Sequence, residues 1–351
     1  MNSIYVRTLK RAEHTVFCVQ DGQKTYYDPQ FGKRVPYSSG QQVKRSLLDS
    51  LNSILNTQGS PTTFLWDVNK RGELKEGEVY STCNPSAADQ LFGGWMKAGK
   101  GGTEKTLKRR SPLSISAMRA LHPLLATTDS EDISFDRSDR SNNQIIVRDE
   151  NQNILEKDAV IALLAGKDRS LQRKWIPNNR RATGLFIQDI AIDLRRLFSV
   201  NINPLEPEIS LDVEKDLRDG GWIVGENIFG TCLIAPKILR DKWIPAIANA
   251  IINWKITSNQ ARTFSLMETL AISVSDDANK IASSIRAKLT EDEKAKPVIE
   301  ESLKGVTTYV TLPAAAYLVT NIESSEALEN ACNDLITLMQ AFDYEHQLKP
   351  A

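Results

Sequence analysis

The apolar positions of this chain change period several times, and each change predicts an element. Residues 1–20 open with alternation, Ile4, Val6 and Thr8 on one face, and His14–Val19 adds a second run rich in β-formers, so strand is expected at the start. A loop marked by Gly22, Asp28, Pro29, Gly32 and Pro36 follows. From Gly40 the spacing becomes helical, with Val43, Leu47, Leu48, Leu51, Ile54 and Leu55 forming one stripe and Ser38 or Ser39 placed to cap it. Residues 57–112 lack a sustained period and read as loops or an insertion. Strand alternation returns over Leu185–Leu194 and Val306–Leu312. Amphipathic helices are expected over Asp241–Lys255, Asp276–Leu289 and Ser325–Phe342. Strands and helices interleave without a fixed repeat, which predicts an α+β fold carrying loop insertions.

Composition narrows the class. With 351 residues and 41% hydrophobic content the chain can bury a substantial core. No apolar stretch reaches the length of a membrane span, and charges interrupt the N-terminal region where a secretory segment would need apolar residues, so a cytoplasmic protein with no membrane partner is expected. Cys18, Cys83, Cys232 and Cys332 are far apart without CxxC spacing, which fits reduced core or strand residues better than a zinc site. His14, His122 and His346 belong to no nucleophile motif. The GKGG run at Gly99–Gly102 lacks phosphate-loop spacing. Neither a catalytic set nor a metal or cofactor is predicted.

Basic and acidic residues balance at 44 each, yet they are segregated. Lys97–Ser111 holds six basic residues against Glu104, and Gly166–Gly184 holds six against Asp168, with Trp175 among them. Acidic residues gather in Asp129–Asp139 and Glu206–Asp219. Between Pro36 and Leu51, PYSSGQQVKRSLLDSL, a polar turn feeds a helix with Lys44 and Arg45 in its first turns. Such a start is either a capped helix with solvated charges or a seat for phosphate, which helix N–H groups and the dipole favour.

That segment resembles the helix start of the Cas7 group of RAMP proteins, and the preceding DPQFGKRVP resembles its approach. LKRRSPLSISAMRAL at Leu107–Leu121, LFGGWM at Leu91–Met96 and GLFIQDIAIDL at Gly184–Leu194 resemble the type I-B-like DevR/Cst2 branch of that group. The matches run in order to about residue 200 and weaken beyond it. The resemblance implies a modified RRM or ferredoxin-like palm over residues 1–351, finger insertions within 57–183 and a thumb hairpin within 199–235. It also implies a non-catalytic backbone subunit of a CRISPR Cascade, with CRISPR RNA, the target DNA strand paired to that guide, further Cas7 copies, Cas5, Cas8 and small subunits as partners.

Carried over residue by residue, the guide contacts would be Ser39, Gly40, Gln41, Gln42, Lys44 and Arg45, then Lys108, Arg109 and Arg110, then Arg173, Lys174, Arg180 and Arg181. Arg7, on the expected exposed edge of the first strand, joins them. Trp175 and Trp222 are candidate stacking platforms. The rival activity is target-RNA cleavage of the type III kind, for which Asp21 and Asp28 are the loop acids in reach.

Overall fold

The computed structural model describes residues 1–17, 23–99, 104–136, 139, 142–256 and 264–348, with the backbone alone for 131–135 and 175–179. Cys18, Asp21, the 100–102 part of the glycine loop and the Trp175 side chain lie outside that description.

In chain order, β1 (Ser3–Thr15) leads to the hairpin β2 (Thr25–Asp28) and β3 (Lys33–Ser38), then to α1 (Gly40–Leu55). The hairpin β4 (Thr62–Val68) and β5 (Leu74–Ser81) precedes α2 (Ala88–Gly93), the small pair β6 (Trp95–Lys97) and β7 (Leu107–Arg109), and the short strands β8 (Leu113–Ile115) and β9 (Met118–Ala120). A long arm follows, built from β10 (Ala126–Asp136), α3 (Lys157–Leu164) and the first part of β11 (Arg173–Asp193). Next come α4 (Leu194–Leu197), β12 (Ser199–Asn201), α5 (Leu211–Asp219), β13 (Ile223–Asn227), β14 (Gly230–Ile234) and α6 (Lys237–Asn253). The chain closes with β15 (Glu268–Ser275), α7 (Ala278–Ser284), the hairpin β16 (Ile285–Leu289) and β17 (Ala295–Ile299), β18 (Val306–Thr311), β19 (Glu323–Ser324) and α8 (Ala327–Gln340).

The main sheet runs β19-β18-β15-β1-β11-β9-β3-β2, with β8 and β10 also paired to β11. The architecture is α+β, as the alternating periods predict. Even-numbered residues of β1 and β11, among them Ile4, Val6, Phe186, Ile190 and Ile192, meet α1, α6 and α8 through Val43, Leu47, Ile247, Ile251, Ala331 and Leu335. Odd-numbered Leu9, Leu185 and Ile187 face a second, smaller core with Ile285, Ile299, Ala314 and Leu318. A strand packed on both faces has no solvated side. Arg7 is therefore buried, 8% exposed, which corrects its placement on an exposed edge. It spans Asp189 at 2.7 Å and the carbonyls of Ala282 and Ile285.

Two further expectations are corrected. The helix expected over Asp276–Leu289 stops at Ser284, and Ile285–Leu289 pairs with Ala295–Ile299 as a hairpin. The i, i+4 spacing of Ile281 and Ile285 suits a helix, but the pairing satisfies the backbone and still buries Ile285. Trp222, offered as a stacking platform, is 6% exposed within the main core.

The segment 199–235 forms the three-stranded sheet β12-β14-β13 with α5, and Ile209, Leu217 and Cys232–Ala235 seat it against the main core. What stands out from the body is β4–β5, whose Phe64, Trp66, Val68, Leu74 and Val79 are all more than half exposed. The other projecting element is the arm, where β11 beyond Ala182 pairs with β10 alone.

Candidate nucleic-acid interface

The mouth of α1 is shaped by close packing. Ser39 caps the helix, its Oγ accepting from the Gln42 N–H at 3.3 Å. A Cβ on Gly40 would stand 2.7 Å from the Ile115 carbonyl oxygen and 3.3 Å from that of Ser116, so only glycine lets the first turn sit against the β8–β9 connection. Gln41 and Arg45 are exposed and Gln42 is half-buried. Arg45 approaches Asp49 one turn on at 3.8 Å, a solvated pair that leaves its guanidinium accessible. Lys44 is half-buried, and its ammonium donates to the Gly93 carbonyl at 2.6 Å. Loss of water lowers its pKa to about 8. An anion arriving here would favour the charged form of Lys44 and is itself favoured by the first-turn N–H groups and the helix dipole.

The segment Lys108–Arg110 divides by face. Arg109 points inward, its guanidinium donating to the carbonyls of Ser199 at 2.7 Å and Arg196 at 2.8 Å and to Glu208 at 3.1 Å. At 3% exposure it cannot reach a ligand, which corrects its assignment as an RNA contact. Lys108 and Arg110, on the alternate face, are exposed. The turn at 92–94 joins them to the helix mouth. Ser111 Oγ donates to the Phe92 carbonyl at 2.7 Å, Lys44 takes Gly93, and Gly94 lies so close to Arg109 O and Ser111 N that a Cβ would stand 2.7 Å from each. Lys44 and Arg110 thus flank one short wall.

The third cluster is not brought to that wall. Arg181 lies eight residues along β11 from Asp189, which adjoins Ser116 at the helix mouth, and at about 3.3 Å per residue the gap is roughly 26 Å. Arg173 donates from Nε to Asp136 at 2.8 Å across the arm, Arg181 is buried, and Lys174 and Arg180 are exposed.

The face of the sheet opposite α1 holds basic residues that periodicity and loop composition do not single out. Arg119 on β9 reaches the Asp189 carboxylate at 3.2 Å while its side chain remains 40% exposed. With Arg7 on the same carboxylate, the group carries one net positive charge. Ser114–Ser116, Tyr5 and Ile281 close a cavity of about 400 Å3 beside it. The signal was the odd-numbered Arg7 and Arg11 of β1, legible only once the sheet is known to be covered on both faces.

Asp28, the rival catalytic acid, accepts from the Phe31 N–H at 3.0 Å and closes the β2–β3 turn. Among the described residues, no three His, Cys, Asp or Glu side chains gather to hold a metal, and no helix is long and apolar enough to cross a membrane.

No family model matches the sequence, and no curated protein matches it. Among solved structures the chain is similar to a chain of a CRISPR RNA-guided surveillance complex in a pre-nicking state, with 9% identity, a TM-score of 0.46 and coverage of 96% of this chain and 88% of that one. A chain of a second CRISPR RNA-guided surveillance complex gives 11% identity, a TM-score of 0.42 and coverage of 95% and 99%. At scores below 0.5, neither likeness decides what this chain does.

Proposed function

We propose that the chain is a guide-binding component of a CRISPR surveillance complex, and within it a Cas7-like backbone subunit of a type I Cascade. The observation that carries this reading is that Lys44 and the backbone around Arg110 meet the same Gly93–Gly94 turn, with Arg45 exposed on the same helix, in a chain whose motifs resemble that family in order. Such a subunit must accept any spacer sequence, so it grips phosphates and backbone shape rather than base edges. The α1 mouth and Arg110 supply that kind of contact. On this reading the partners are CRISPR RNA, the target DNA strand paired to it, neighbouring copies of the chain, and Cas5, Cas8 and small subunits. The role is binding, with no catalytic residue and no cofactor.

The test is Lys44→Glu with Arg45→Glu. Protein produced with a supplied guide should carry RNA, read as the ratio of absorbance at 260 and 280 nm and by sequencing of what is bound. The double variant should lose that RNA while keeping the wild-type circular dichroism spectrum. RNA at the wild-type level on a folded double variant would overturn the assignment of the site.

A further inference from the structure

A cavity of about 970 Å3 lies on the face of the sheet opposite α1, between the β10 base, β17 and the segment after β18. Its walls are apolar, including Leu124, Pro297 and Tyr317, and its described lining carries three cations, Arg11, Lys33 and Lys296, and no carboxylate. The Arg11 guanidinium stands 5.2 Å from the centre of the Tyr317 ring, donates to the Ala12 carbonyl and approaches Glu13 at 3.5 Å at the exposed margin. Lys33 and Lys296 are exposed at the rim. Gly184 lines the cleft, and a Cβ there would stand 2.5 Å from the Leu125 carbonyl oxygen, so only glycine lets the start of β10 pack this closely on β11.

A ligand matched to this cleft has a flat apolar part for the Tyr317 side and an anionic part for the three cations. We infer that the cleft takes one nucleotide of a single-stranded RNA, with the base against Tyr317 and Pro297 and the phosphate at Arg11, Lys33 and Lys296. This rests on the proposed function and deepens it. Asp189 and Gly184 stand roughly 17 Å apart along β11, and Leu185 and Ile187 between them are buried in the smaller core, so the cleft is a contact separate from the α1 mouth. Aromatic stacking of this kind accepts every base, as a sequence-tolerant holder requires.

The experiment uses the full chain, a short oligouridylate containing 4-thiouridine, and irradiation followed by peptide mass spectrometry. Adducts are expected on the peptides bearing Pro297 or Tyr317. Tyr317→Ala should weaken oligouridylate binding about tenfold, Tyr317→Phe should retain it, and Arg11→Ala should lower the slope of log affinity against log salt by about 0.7. Adducts confined to 38–45 and 107–111, with binding unchanged in folded Tyr317→Ala protein, would overturn the inference and leave the proposed function standing. Uridine monophosphate competing as well as the oligonucleotide would overturn the assignment to a strand. If the wild type retains no oligouridylate at low salt, the proposed function itself falls. Adducts absent from the cleft, together with a change of oligomeric state in Arg11→Ala protein, would make the cleft a seat for a second copy instead. Should Tyr317→Ala fail to fold, the adducts on wild-type protein still decide.

Discussion

Two basic segments of similar composition meet different fates in this fold. Lys97–Ser111 turns back on the body, where strand alternation sends Arg109 into a cage of carbonyls and Glu208 and leaves Lys108 and Arg110 outside, beside the α1 mouth. Arg173–Arg181 extends along an arm, where Arg173 is matched to Asp136 and Arg181 is buried. The difference teaches that charge count locates a basic segment but not a binding surface. Pairing partners and strand phase decide which cations remain free to meet a ligand.

The sharpest way to break the comparison is at its buried member. Arg109→Ala leaves Glu208 with Arg196 as its remaining guanidinium and strips the donor from the enclosed carbonyls of Ser199 and Arg196, and should cost about 3 kcal/mol, read as a lower urea midpoint. A variant of unchanged stability would remove the distinction between Arg109 and its neighbours. Next in size, Lys108→Ala with Arg110→Ala should keep the fold and flatten the salt dependence of RNA binding by about 0.7 for each phosphate that is no longer neutralised.

A subtler effect follows from Lys44. Its pKa is lowered to about 8 from an ordinary 10.5, so raising the pH from 7 to 9 removes its charge and should weaken RNA binding, while Lys44→Arg should bind evenly across that range. The stability contribution has the opposite sign. Between about 8 and 10.5 the unfolded chain holds more protons than the folded one, so the free protein should gain stability as pH rises through that window. The smallest change is expected on the arm, where Lys174→Ala with Arg180→Ala should shift the salt slope by less than a single neutralised phosphate would, under about 0.7. A larger shift would bring the arm into the interface.

Much of the body was legible in the chain. The stripe of Val43, Leu47 and Leu51 and the Ser39 cap became α1, and the alternation of Leu185–Leu194 became part of β11. Asp241–Lys255 and Ser325–Phe342 became α6 and α8 with ends shifted by a few residues. What was not legible depended on a second layer. Periodicity shows that Arg7 alternates with Val6 but not that α7 and β16 cover its side of the sheet, so an enclosed ion pair reads as an exposed edge. Ile285 misleads for a related reason, since its pairing partner comes ten or more residues later. The site divides the same way. Local spacing reveals the helix mouth, whereas Arg119 reaches Asp189 and Arg11 reaches the cleft only through long-range pairing of β1, β9 and β11.

The length of β11 has a mechanical meaning. One unbroken strand is paired on both edges over most of Ala182–Ile192 and on a single edge from Arg173 to Arg181, so amide exchange should quicken from its sheet end to its arm end. The register shift between Glu131 and Ile133 is the irregular point in the pairing of the arm, so bending of the arm should concentrate there rather than at its junction with the sheet.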